Sequence, residues 1–131
     1  MIKGTVTVAL FALLSGFMPG AALAHSHLKM SVPAAGAKVA AGPTEIRLQF
    51  NEVVEPQFSK VTVESKGKPV TSAPAASNPG DKTTLIVKFA QPLQAGSYKV
   101  NWQAVSADTH KVKGSFTFPV TPCSTQNNSR R

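Results

Sequence analysis

Cysteine, acidic side chains and helical periodicity are all scarce in this chain of 131 residues. The single cysteine, Cys123, cannot close an internal disulfide, so stability must come from packing, and we assign this thiol no functional role. Only six Asp and Glu stand against 14 Lys and Arg. These positive charges are scattered and form no stripe with stacking aromatic residues, which argues against nucleic-acid binding.

No apolar run is long enough to span a bilayer. The longest, over residues 6–18, has 13 residues, whereas a span needs roughly 20. Lys3 precedes this run and Ala22-Leu23-Ala24 follows it, and a charged start, a short apolar stretch and an A-x-A end are typical of a secretory signal peptide. We therefore predict a signal peptide over residues 1–24, cleavage after Ala24, and an exported chain of 107 residues that begins at His25.

Alternation with period two is the clear local pattern, and ten prolines and nine glycines interrupt any helix. Strands with one apolar face must pair those faces, so we predict an all-β, Greek-key β-sandwich or flattened β-barrel over residues 25–120, followed by a disordered tail over 121–131. Pro, Ala and Ser dominate residues 65–81, where we expect a long, mobile connection. The apolar sets of the predicted strands are Ile46, Leu48 and Phe50; Val61 and Val63; Leu85, Val87 and Phe89; Tyr98, Val100, Trp102 and Ala104; and Phe116, Phe118 and Val120.

The three histidines point to metal chemistry, because two of them lie at the predicted amino terminus and the third follows an aspartate. The amine and the imidazole of His25 can close a chelate ring on one metal ion. Asp108 and His110 are two residues apart, and in an extended segment they would point to the same side. Three nitrogens and one oxygen favour tetragonal Cu(II), although Zn(II) or Ni(II) would also fit.

Two alternatives to this ligand set stay open. Asp108 and His110 would also suit an ordinary turn in which the aspartate accepts hydrogen bonds from its local backbone. His27, at the third position of the processed chain, could instead bind a metal together with the amine and two amide nitrogens. Only one of the two metal-binding arrangements can use the amine at a time.

Several stretches of the processed chain match a known family pattern: His25–Leu28, Val32–Ala34, Leu48–Glu52, Phe58–Ser59, Gly96–Trp102, Val105–His110 and Gly114–Phe118. The most specific of them are the strand Tyr98-Lys99-Val100-Asn101-Trp102 and the triplet Asp108-Thr109-His110. With these motifs the chain resembles the CopC copper-resistance family and its YobA-like relatives, from His25 to about Val120.

The resemblance implies a periplasmic protein with an immunoglobulin-like, cupredoxin-like fold. It implies one Cu(II) ion per chain, bound by the amine and side chain of His25 and by Asp108 and His110. Glu52 matches a glutamate that lies near this site in some members. Some members also carry a Cu(I) site in a Met-rich loop with a histidine, but residues 65–81 contain neither residue type and Met30 is the only methionine after Ala24.

From these features we expect a monomeric Cu(II) carrier or buffer in copper homeostasis and resistance, which sequesters copper or passes it to an inner-membrane copper transport protein. We do not expect an enzyme. Two alternatives come from other classes: a copper-dependent oxidative enzyme with a histidine brace, and an immunoglobulin-like adhesion module with incidental histidines. The first is disfavoured because an aspartate at the metal leaves less room for oxygen chemistry.

Overall fold

The computed structural model describes residues 27–122, which form two four-stranded antiparallel sheets. The predicted signal peptide, His25, Cys123 and the chain after it lie outside the described residues. One sheet has the order β1-β2-β6-β5 and the other β4-β3-β7-β8. The strands are β1 Leu28–Val32, β2 Glu45–Phe50, β3 Lys60–Ser65, β4 Lys68–Pro69, β5 Ala76–Asn78, β6 Asp81–Lys88, β7 Gly96–Val105 and β8 Lys111–Val120, and a 3-10 turn covers Pro56–Phe58.

The period-two pattern produces a sandwich because each sheet turns its apolar side chains inward. In β2, for example, Ile46, Leu48 and Phe50 are buried. The chain changes sheet between β2 and β3, between β4 and β5, and between β6 and β7, so that β6 pairs with β2 and β7 with β3. The predicted all-β Greek-key sandwich is thereby confirmed. Within the inward-facing sets, Trp102 is only partly buried, and its ring packs edge-on against Phe50 with centroids 5.3 Å apart.

Residues 65–81, expected to be one long connection, instead contain the short strands β4 and β5. β4 pairs with β3 through a tight turn at Lys66-Gly67, where both residues have positive φ (52° and 73°). Such a turn matches the twist of a hairpin. β5 pairs with the edge of β6. Strands of two and three residues are too short to show alternation, so the sequence carries no period-two signal for them.

The β7–β8 hairpin carries the candidate site at one end of the sandwich. Its strands stay paired from Gly96↔Val120 to Val105↔Lys111, and residues 106–110 form the connecting turn. The segment after β2 packs on this turn: the Ala107 amide donates to the Val53 carbonyl oxygen at 3.2 Å. Among the described residues, no helix has the length and apolar character needed to cross a membrane.

Candidate metal centre

Asp108 and His110 lie in the turn between β7 and β8 and not in an extended segment, so the geometry assumed from their spacing was wrong. Thr109 has a φ of 71°, in the left-handed region that β-branched residues rarely adopt, and this conformation reverses the chain. Two backbone hydrogen bonds close the turn, from the Thr109 amide to the Ser106 carbonyl at 2.9 Å and from the Ser106 amide to the His110 carbonyl at 3.0 Å.

The turn nevertheless brings the two predicted side chains together. The Nδ1 atom of His110 lies 2.7 Å from Oδ2 of Asp108. The other carboxylate oxygen, Oδ1, accepts a hydrogen bond from the Ser106 hydroxyl and one from the His110 amide at 3.3 Å. Asp108 therefore stabilises the turn, as the ordinary-turn interpretation expected, and also holds the imidazole.

Both side chains remain open to solvent, with 66% of the His110 side chain and 55% of the Asp108 side chain exposed. Hydrogen bonds from the Ser106 hydroxyl, the His110 ring and the His110 amide lower the pKa of Asp108 to about 2. The carboxylate is thus ionised at neutral pH and can only accept, so Nδ1 of His110 must carry the proton that lies between them. The Asp108 carboxylate in turn raises the pKa of His110.

The chemical consequence is that the neutral ring carries its proton on Nδ1, so that its lone pair is on Nε2, in a side chain that is mostly exposed. A carboxylate that holds the other ring nitrogen sets the tautomer and orientation of metal-ligating histidines in many proteins. Oδ2 of Asp108 also keeps a lone pair after accepting from Nδ1. The pair thus offers one nitrogen and one oxygen donor at an exposed turn.

His27 and Glu52, two further predicted site residues, lie toward the same end of the sandwich. The backbone amide of His27 donates to Oδ1 of Asn51 at 2.7 Å, and the Asn51 amide donates to the His27 carbonyl at 3.2 Å. Glu52, the next residue, lies near enough to His110 for its charge to contribute to the raised pKa of that imidazole. His25 precedes the described residues. Within residues 27–122, no group of three or more His, Cys, Asp or Glu is arranged to hold a metal ion.

Ser106 and Asn51 also help to form the candidate site, although the sequence analysis did not single them out. Ser106 is buried and its hydroxyl is the largest cause of the lowered Asp108 pKa. Asn51 accepts a hydrogen bond from the His27 amide and so holds His27 at the end of β2. A Ser two positions before an Asp is a recognisable turn signal for Ser106, whereas the pairing of Asn51 with His27 is long-range and has no local signal.

A family model described as "CopC domain" matches residues 28–121. The chain is 41% identical over 127 residues to Copper resistance protein C of Pseudomonas syringae pv. tomato, covering 92% of this chain and 98% of that protein. It is 41% identical over 113 residues to Protein YobA of Escherichia coli K12, covering 86% and 91%. Copper transport protein CutJ of Bacillus subtilis is 30% identical over 105 residues, which cover 79% of this chain but 19% of CutJ.

Solved structures show the same likeness. The crystal structure of CopC from Methylosinus trichosporium OB3b aligns with a TM-score of 0.69 and 34% identity, covering 75% of this chain and 95% of that one. The crystal structure of PcoC, a methionine-rich copper resistance protein from Escherichia coli, aligns with a TM-score of 0.68 and 38% identity, covering 75% of this chain and 100% of that one.

Proposed function

The chain belongs to the CopC domain family, and on that premise we propose that it is a copper-binding protein of copper resistance, which carries or buffers one Cu(II) ion per chain in the periplasm. The relatives it matches over most of their length include copper resistance proteins, and their names describe no catalysis. We assign the chain a binding role and no enzymatic one.

The exposed Asp108–His110 pair is the observation that carries the proposal. The pair presents Nε2 of His110 and a carboxylate oxygen of Asp108 at one turn, with the imidazole already oriented by its Nδ1 contact of 2.7 Å. Two donors are too few for tight binding, and we propose that the amine and imidazole of His25 supply the others. Nitrogen and oxygen donors in such a set favour Cu(II), which also stands highest in the divalent affinity order.

Glu52 contributes a negative charge near His110, and we propose that it favours the bound cation without being a ligand. His27 stands in the competing arrangement, in which the amine, two amides and its own imidazole hold the metal. The backbone amide of His27 already donates to Asn51 at 2.7 Å, whereas a copper-bound amide would have to lose its proton and this bond. That contact favours the set with Asp108 and His110.

Delivery to an inner-membrane copper transporter is part of the proposal. The support is that a domain similar to this chain makes up part of a protein named for copper transport, CutJ. A similar domain that is part of a longer copper transport protein in one case and a separate chain in another is consistent with a transient contact between this chain and a transport protein. We further propose that the chain is monomeric.

The test compares Cu(II) affinity between protein that begins at His25 and protein that begins with Met followed by His25, under the same competing chelator. The extra residue turns the His25 amine into an amide, so the chelate ring is lost. We expect both proteins to fold alike and the affinity to fall by more than about 100-fold, because a direct donor is lost and the loss of a group that only orients a ligand already costs about 10–100-fold. Equal affinities would rule the amine out as a ligand.

The matched controls are His110→Ala, Asp108→Ala and His27→Ala in the processed chain. The proposed set predicts weaker binding and an altered electron paramagnetic resonance spectrum for the first two, and little change for the third. A damaging His27→Ala with a silent His110→Ala would identify the terminal peptide-type chelate as the site.

A further inference from the structure

The outer face of the β4-β3-β7-β8 sheet carries an ordered array of polar side chains. The registers of β3 with β7 and of β7 with β8 place nine residues in three cross-strand rows, which we call the basic sheet face. The rows are Lys60–Gln103–Lys113, Thr62–Asn101–Ser115 and Glu64–Lys99–Thr117. Members of the first two rows, together with Trp102 and Gly114, line a shallow groove of about 540 Å³.

The two lysines of the first row have no acidic partner within the described part of the chain. Neither Lys60 nor Lys113 makes an ion pair there, and both side chains are exposed. They flank the uncharged Gln103 on opposite sides of β7, about 10 Å apart, because neighbouring strands lie about 4.8 Å apart. On the other sheet, by contrast, Arg47 is paired with Glu45 at 2.6 Å.

The basic sheet face leads directly to the candidate metal centre. Gln103 precedes Ser106, the first residue of the site turn, by three strand positions, which is about 10 Å along β7. Lys113 follows His110 by a similar distance on β8. A molecule seated across Lys60 and Lys113 would therefore lie about 10 Å from the turn that carries Asp108 and His110.

We propose that the basic sheet face is the docking surface for an acidic protein partner, whose carboxylates contact Lys60 and Lys113 and whose polar groups bond to the Thr62–Asn101–Ser115 row. The face fits a protein better than a lipid surface, because polybasic lipid binding draws on about four to eight clustered Lys and Arg, whereas this face has three lysines and one glutamate between fixed hydrogen-bonding groups. The role we give to docking is to align a copper acceptor with His110, and this role rests on the proposed function. Binding of an acidic partner to the face does not depend on it.

The experiment titrates metal-free, isotope-labelled protein that begins at His25 with a short synthetic peptide of alternating Glu and Gly, and follows the amide resonances. We expect shifts concentrated at Thr62, Asn101, Gln103 and Ser115, and none with the peptide in which Gln replaces Glu. The double variant Lys60→Gln, Lys113→Gln should weaken binding about tenfold. The matched control, Lys82→Gln with Lys88→Gln, removes the same charge from β6 of the other sheet and should change the affinity less than twofold.

Three outcomes would overturn the proposal: no shifts with the acidic peptide, equal losses in the two double variants, or binding to phosphatidylglycerol vesicles that depends on Lys60 and Lys113 while the peptide does not bind. A Cu(II) titration of the Lys60, Lys113 double variant separates this proposal from the metal site. Unchanged Cu(II) affinity with lost peptide binding supports the docking face, and failure of the docking face would leave the Cu(II) proposal standing.

Discussion

At the scale of single residues, the chemistry of the site depends on the contact between one carboxylate and one imidazole. Asp108 is held ionised by three hydrogen bonds, and its charge lies 2.7 Å from Nδ1 of His110. The proton on Nδ1 is stabilised, so the pKa of His110 is raised. A metal ion must displace a proton from Nε2 when the ring is charged. Because the Asp108 contact keeps the ring charged up to a higher pH, the contact that orients the ligand also strengthens the competition of protons with the metal.

Asp108→Asn should therefore lower the pKa of His110 toward the ordinary value of about 6.5. The sign follows from the lost charge: without the carboxylate, the imidazolium loses its stabilising partner. In the metal-free protein, titration of the His110 ring protons by nuclear magnetic resonance measures the change directly. An unchanged His110 pKa in this variant would show that the contact is not populated in solution.

At the scale of elements, close approaches between segments decide where glycine is required. Gly42 precedes β2, and a Cβ atom built on it would lie 1.7 Å from the carbonyl oxygen of Leu93. Leu93 is buried and its amide donates to the Pro43 carbonyl oxygen at 3.1 Å. The segment before β2 thus packs directly on the segment before β7, and there is no room for a side chain at residue 42.

Gly42→Ala should destabilise the fold by about 2 kcal/mol or more, because the clash is with backbone and cannot be relieved by a rotamer change. Urea unfolding of the processed chain measures the loss. Gly80→Ala is the matched control, since an added Cβ there would lie 4.0 Å from its nearest neighbour, Oδ1 of Asn78, and it should change the free energy of unfolding by less than about 0.5 kcal/mol. Similar losses in both variants would contradict the account of Gly42.

At the scale of the whole molecule, the number of sulfur ligands predicts which oxidation state of copper the protein binds. Met30, on β1, is the only methionine after Ala24, and the residue is 56% exposed. Cu(I) favours several thioether or thiolate ligands. Residues 65–81, which form β4, β5 and their connections, contain no methionine or histidine.

We therefore expect a single tight Cu(II) site and no tight Cu(I) site in the processed chain. An anaerobic Cu(I) competition assay checks this, with Cys123→Ser as the necessary control because a lone thiol can hold Cu(I). One-to-one binding of Cu(I) that withstands competition in the Cys123→Ser protein would show that another soft site has been overlooked.

The sequence by itself determined the class of fold and the inventory of ligands. Alternation in β2, β6, β7 and β8 is a local property of the chain, and it is sufficient to predict two sheets with their apolar faces together. The Asp-x-His spacing and the histidines near the predicted amino terminus likewise identified donor atoms without any knowledge of the fold.

Only the tertiary structure decided how those pieces meet, because strand register, turn conformation and packing depend on residues far apart in the chain. The positive φ of Thr109, and not an extended backbone, brings Asp108 to His110. The pairings of β3 with β7 and of β7 with β8 place Lys60 and Lys113 in one row. The local sequence allowed both an extended segment and a turn at Asp108–His110, and only the folded chain decided between them. No local pattern could show the row of Lys60 and Lys113, since it is fixed by strand pairing between residues far apart in the chain.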